Sequence, residues 1–137
     1  MTAVTTPNHP DRHEPPIQVL YVEDSNLHAA ILKAGLSTYN IEVLHLPHSD
    51  ESLLEELSRS RYDAARAIIL DLHMGELSGL QVARRLRAAG DNRPILLISA
   101  ADQPSKGELM SIQAMFLPKP FEFERISDTI KKLAAHS

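Results

Sequence analysis

The stretch "RAIILDLHMGELSGLQ", residues 66–81, decides the fold. Four apolar residues, Ala67 to Leu70, run without alternation and stop at Asp71. Such a run reads as a strand covered on both faces, the pattern of a parallel sheet. Gly75 and Gly79 follow, and "SGLQVARRLRAAG" then places Leu80, Ala83 and Leu86 at helical spacing. Strand, glycine-containing loop and helix make one β-α unit. The open question is why a buried strand should end in a carboxylate. A cap, a turn residue and a member of a charged site all remain possible at this point.

The same unit recurs on either side. "IQVLYV" (17–22), "PILLIS" (94–99) and "AMFLP" (114–118) are further strand candidates, and "IEVLHL" (41–46) alternates more, as an edge strand would. The first helical pattern places Leu27, Ile31, Ala34 and Leu36 near one face, with Ser25 as N-cap. The second, "SDESLLEELSRS", carries Leu53, Leu54 and Leu57 behind Ser49 or Asp50 as cap. The third stops at Gly90, a natural C-terminal glycine. The fourth is weakened by Gly107. The fifth has Phe123, Ile126, Ile130 and Leu133 at spacings of three and four. Five strand-helix units imply a parallel sheet with helices on both faces and right-handed crossovers.

Composition narrows the function. The chain has 137 residues, suited to one domain with a real core. Its net charge is -4, which lacks the basic footprint of a nucleic-acid binder. There is no cysteine, so thiolate chemistry and disulfides are excluded. Apolar runs are far too short for a membrane span. Residues 1–16 hold four of the nine prolines and no apolar core of a secretory signal; they read as a disordered tail, with the domain proper at 17–137. The arginines Arg84, Arg85 and Arg87 read as a solvated helix face.

In an open α/β sheet, ligands bind beyond the carboxyl ends of the strands. The residues found there are Glu23 and Asp24 after the first strand, Asp71 after the third, Ser99 at the end of the fourth, and Lys119 and Pro120 after the fifth. Three carboxylates brought together repel one another. A hard cation resolves this, and Mg²⁺ suits one or two carboxylates plus phosphate oxygens. Asp71 is then placed to act as a nucleophile toward phosphorus, with Lys119 and Ser99 stabilising the phosphoryl oxygens.

At this point "YVEDS", "ILDLHM", the glycine eight residues beyond Asp71, "ISA" and "LPKPF" together resemble the response-regulator receiver domain of two-component signalling. The resemblance runs from residue 17 to about 135. It implies a flavodoxin-like (βα)5 three-layer sandwich with strand order 2-1-3-4-5. It makes Asp71 the phosphoacceptor. Asp24 and Asp71 would ligate Mg²⁺, Glu23 would do so through water, and His73 would add its backbone carbonyl. Ser99 and Phe116 would be the switch pair, Lys119 would meet the phosphoryl group, and the Lys119-Pro120 peptide would be cis. The implied donor is a sensor histidine kinase or a histidine phosphotransfer protein. The implied output surface is helix 4, strand 5 and helix 5, binding a downstream protein or a second copy in a homodimer. Neither nucleic acid nor membrane is implied, and a cytoplasmic location is expected.

No recognisable output domain follows, which suggests a stand-alone receiver acting as relay, sink or effector rather than an enzyme. Two rivals remain in view. A Mg²⁺-dependent aspartyl-phosphate phosphohydrolase would want a second Asp two residues after the nucleophile, where this chain has His73. A pseudo-receiver would lack part of the set Glu23, Asp24, Asp71, Ser99 and Lys119, which is complete here. Departures from the family pattern carry expectations too. Gly75 stands where proline is common, so the loop after Asp71 is expected to be more mobile. "YDAARAIILD" is about three residues longer than usual, so helix 2 or its exit is expected to be irregular. Phe116 lacks the hydroxyl of the common tyrosine, and His73 and Ala101 sit where the family tunes phosphoryl lifetime.

Overall fold

The computed structural model describes residues 14–135; most of the tail expected at 1–16 lies outside the described residues. Five strands alternate with five helices: β1 (Ile17–Val22), α1 (Asn26–Ser37), β2 (Ile41–Leu46), α2 (Ser52–Leu57), β3 (Ala67–Asp71), α3 (Gly79–Ala88), β4 (Ile95–Ser99), α4 (Lys106–Ile112), β5 (Ala114–Pro118) and α5 (Phe123–Ala135). All pairings are parallel and the order is β2-β1-β3-β4-β5. The strands expected from apolar runs are present, and β2, the alternating one, is an edge.

β3 and β4 are buried at every position, which is why they read as unbroken apolar runs. The pleat divides the core into two layers. Leu20, Ile68, Leu70, Ile95 and Leu97 face Leu53, Val82, Ala83 and Leu86. Val19, Tyr21, Ile69, Leu96 and Ile98 face Ala29, Leu32, Leu36, Ile126 and Ile130. Among the described residues no helix is long and apolar enough to cross a membrane.

Several local expectations are corrected. On α1 the buried face is Ala29, Leu32 and Leu36, while Leu27 and Ile31 are exposed. Apolar residues lie around much of this helix, so spacing alone leaves its rotation open. Packing sets it: a Cβ on Gly35 would fall into the Phe123 ring of α5. α3 buries Val82 beside Ala83 and Leu86, with Leu80 only partly covered. The exit of α2 is irregular as expected, passing through a 3₁₀ turn at Ser60–Tyr62.

Arg84 and Arg85 are solvated as expected, their side chains 54% and 42% exposed, but Arg87 is not. Arg87 reaches four carbonyls, those of Asp91, Arg93, Ile112 and Gln113. Arg84 pairs with Glu108 and Arg85 with Glu51, tying α3 to both neighbouring helices. Arg93 completes this base, clasping the Asp91 carboxylate and the carbonyls of Leu57 and Tyr62.

The loop after Asp71, expected to be more mobile, is hydrogen-bonded to Ser49. The amides of Glu76 and Leu77 donate to the Ser49 carbonyl at 2.9 and 3.0 Å, and the Ser49 hydroxyl donates to the Leu77 carbonyl at 2.6 Å. Gly75 makes this possible. It adopts φ +38°, and a Cβ there would come within 3.0 Å of Ser49.

Candidate functional site

Four strand ends and the loops after them converge on Asp71. It is the last residue of β3 and is buried. Its Oδ2 accepts from Lys119 Nζ at 2.5 Å, and its Oδ1 accepts from the His73 amide at 2.9 Å. Lys119 is brought there by the loop after β5, whose amide donates to the Ser99 carbonyl at 2.8 Å. The Lys119-Pro120 peptide is cis. This answers the question the sequence raised. A carboxylate ends a buried strand because an ammonium meets it at the sheet edge.

The register of α3 behind Asp71 is fixed by a capping box. The Gln81 amide donates to Ser78 Oγ, and the Ser78 amide donates to Gln81 Oε1. Gly79 is the first helical residue. A Cβ there would lie 2.9 Å from the Asp71 carbonyl carbon and 3.2 Å from Leu72 Cα, closer still to the Asp71 carbonyl oxygen. Only glycine lets the helix start this close to the phosphoacceptor candidate.

Glu23 and Asp24 follow β1 but differ in environment. Glu23 is buried; its Oε1 accepts from the Tyr21 hydroxyl at 3.0 Å and its Oε2 from the Ser25 amide at 2.9 Å. Asp24 is exposed and lines a polar cleft of about 480 Å³ with Leu72, His73, Glu76 and Gln81. Burial, then the charge and hydrogen bond of Glu23, then the charges of Asp71 and Asp24, hold the Tyr21 phenol protonated well above its ordinary range. All three carboxylates are therefore felt at one phenol.

Ser99 is buried, its hydroxyl accepting from the amides of Ala101 and Asp102 at 3.1 and 3.2 Å. Phe116 is half-buried on β5, paired with Leu97 and packed on the α3–α4 side of the sheet. The exposed His73 side chain points across the mouth to Asp102, Nε2 to Oδ2 3.0 Å.

Sequence reasoning missed Tyr21, Ser49 and Asp102. Tyr21 had a readable signal: it stands two residues before Glu23, and side chains of period two share a strand face. Ser49 and Asp102 approach the site from distant loops and had none.

The family resemblance implies Mg²⁺, and the donor set fits it. Among the described residues no three His, Asp or Glu side chains close into a cage. The set is two carboxylates, Asp24 and Asp71, with Glu23 committed to its own partners and backbone carbonyls nearby. Mg²⁺ uses few carboxylates and keeps water, which this arrangement suits.

Comparison with known proteins places this geometry in a class. Residues 19–131 match the response regulator receiver domain, and the chain belongs to that family. It is 33% identical over 120 residues to the response regulator MprA of Mycobacterium ulcerans (strain Agy99), and 34% identical to that of Mycobacterium leprae (strain TN). Each alignment covers 85% of this chain and 50% of the relative, so the chain spans about half the length of these curated relatives. Among solved structures, the chemotaxis protein CheY4 of Vibrio cholerae superposes with a TM-score of 0.70 at 24% identity, over 86% of this chain and 98% of that one. The receiver domain of the Francisella response regulator 1452 gives 0.74 at 22% identity, over 88% and 98%. These likenesses establish the five-stranded flavodoxin-like fold.

Proposed function

We propose that this receiver domain accepts a phosphoryl group on Asp71 from a phosphohistidine and uses it to switch its α4–β5–α5 face. The observation that carries this reading is the Asp71–Lys119 pair, set beside Glu23, Asp24 and Ser99 at one sheet edge. In the transfer, an Asp71 oxygen bonds to phosphorus and the phosphorus–nitrogen bond breaks. The electron pair stays on the donor imidazole, which takes up a proton from water. Lys119 then shifts from carboxylate to phosphoryl oxygen, keeping its charge where negative charge develops. Asp24 and Asp71, with the His73 carbonyl, would hold Mg²⁺, and Glu23 would reach it through water. Mg²⁺ supplies neutralisation of the phosphoryl oxygens.

Two surfaces suit protein partners. An apolar groove of about 420 Å³, lined by Ile31, Ala100, Pro120 and Phe121, opens beside Lys119, and Leu27 is exposed nearby. A donor that brings phosphohistidine to Asp71 would rest there. Met110 on α4 and Met115 on β5 are exposed on the α4–β5–α5 face, where Met115 shares a cleft with Pro120, Phe121 and Arg125. Ser99 and Phe116 link the phosphoryl site to that second face, biasing two conformations of it. The partner would be a sensor histidine kinase or phosphotransfer protein, and the setting the cytoplasm.

The test is incubation with acetyl phosphate, with and without Mg²⁺, read by intact mass. One added phosphoryl group, dependent on Mg²⁺ and absent in Asp71→Asn, is the expected result. No adduct and no release of phosphate would reject the reading in favour of a phosphorylation-independent module.

A further inference from the structure

Glu23 is held at three atoms. The Tyr21 hydroxyl donates to Oε1 at 3.0 Å, the Ser25 amide to Oε2 at 2.9 Å, and His45 Nε2 to the backbone carbonyl at 2.6 Å. Both Tyr21 and Glu23 are at most 4% exposed. Asp24, the next residue, is exposed. Two adjacent carboxylates thus have opposite freedoms. One can approach an ion directly. The other has each oxygen already committed to a donor of this chain.

That difference bears on which ion the site takes. Ca²⁺ gathers six to eight oxygens and accepts carboxylates in flexible, often bidentate contact, whereas Mg²⁺ is smaller, octahedral and reluctant to lose water. A carboxylate fixed at one remove contributes charge to hydrated Mg²⁺ without contact. It cannot add the direct ligands that Ca²⁺ exploits. Resting on the reading that Asp24 and Asp71 hold a cation, we propose that Tyr21 is a specificity-determining positioning residue. Its hydroxyl keeps Glu23 out of the ion's first coordination sphere and so favours Mg²⁺ over Ca²⁺. The Ser25 amide is a backbone group and holds one oxygen whatever the side chain. Tyr21 supplies the clamp that substitution can remove.

The test is calorimetric titration of the full chain with Mg²⁺ and with Ca²⁺, for wild type, Tyr21→Phe and Glu23→Gln. Tyr21→Phe keeps the ring, and its melting without metal ions reports that it is folded. The expected result is a Mg²⁺-over-Ca²⁺ preference that shrinks at least about threefold in Tyr21→Phe, as Ca²⁺ gains the freed oxygen. Glu23→Gln should weaken both ions together and leave their ratio near wild type, because the wild-type carboxylate touches neither. A ratio unchanged in Tyr21→Phe, or shifted strongly in Glu23→Gln, overturns the clamp. Wild type that binds neither ion would instead overturn the cation site itself.

Discussion

Replacing Gly79 with alanine tests how closely the fold and the site are joined. The added Cβ would sit 2.9 Å from the Asp71 carbonyl carbon, against 3.4 Å or more for ordinary contact, and the carbonyl oxygen is nearer still. The neighbour is backbone, so no side chain can swing aside. α3 must therefore lift from the end of β3 by at least ~0.5 Å, a small-to-large change of the kind that costs about 1–3 kcal/mol. The Gly79 amide also donates to the Leu72 carbonyl at 3.2 Å, and that bond lengthens in the same movement. For a domain of this size each kcal/mol lowers the melting temperature by roughly 3–5 °C. The expected fall is thus roughly 3–15 °C. Phosphoryl uptake should slow as well, because Asp71 and the His73 amide move with the loop. Calorimetry and the acetyl phosphate assay read the two effects. A variant that melts within 1 °C of wild type and takes up phosphate at the same rate would refute the argument. As an internal control, alanine at Gly90, where nothing lies within 4 Å of the added Cβ, meets only the penalty of its φ of +88° and should leave uptake intact.

Three further outcomes follow from charge and burial. Burial pushes the Asp91 carboxyl up, but the Arg93 hydrogen bonds and the charges of Arg93 and Arg87 outweigh it, leaving the carboxyl below its ordinary range. Its contribution is present above the unfolded value near pH 4 and is lost as pH falls through the folded value. Arg93→Ala should cost ~2 kcal/mol at neutral pH in denaturant titration, and less as pH falls below about 4. The Tyr21 phenol, raised chiefly by burial and then by Glu23, contributes stability below about pH 10 that is lost at higher pH. Spectrophotometric titration should show one of the three tyrosines ionising only on unfolding, and Tyr21→Phe should remove that step. Lys119→Met removes the cation facing Asp71. Its melting temperature should fall in metal-free buffer, and saturating Mg²⁺ should raise it by more than it raises wild type.

Much of this molecule could be read before it was seen, for definite reasons. β3 and β4 are buried on both faces, so their apolar runs had no competing explanation once helices filled the gaps. Asp71, Lys119 and Ser99 stood at strand ends, and parallel topology puts such residues at one edge. The rotation of α1 was not legible, because Leu27 and Ile31 are apolar yet exposed, and the Gly35–Phe123 contact that turns the helix spans most of the chain. The role of Gly75 was not legible for a related reason. Its freedom serves a tight approach to Ser49, a loop partner that local sequence does not name. Arg87 looked like a surface charge because its acceptors are backbone carbonyls, which no side-chain pattern reveals.

On the proposed function, Asp71 receives the phosphoryl group. Borohydride reduction of the acetyl phosphate–treated chain, followed by peptide mass spectrometry, tests it most directly, since an acyl phosphate on aspartate is reduced to homoserine. The expected result is homoserine at position 71 alone, formed only when Mg²⁺ was present. Reduction at Asp24 instead, or phosphate found on a serine or histidine with Asp71 unmodified, would contradict it.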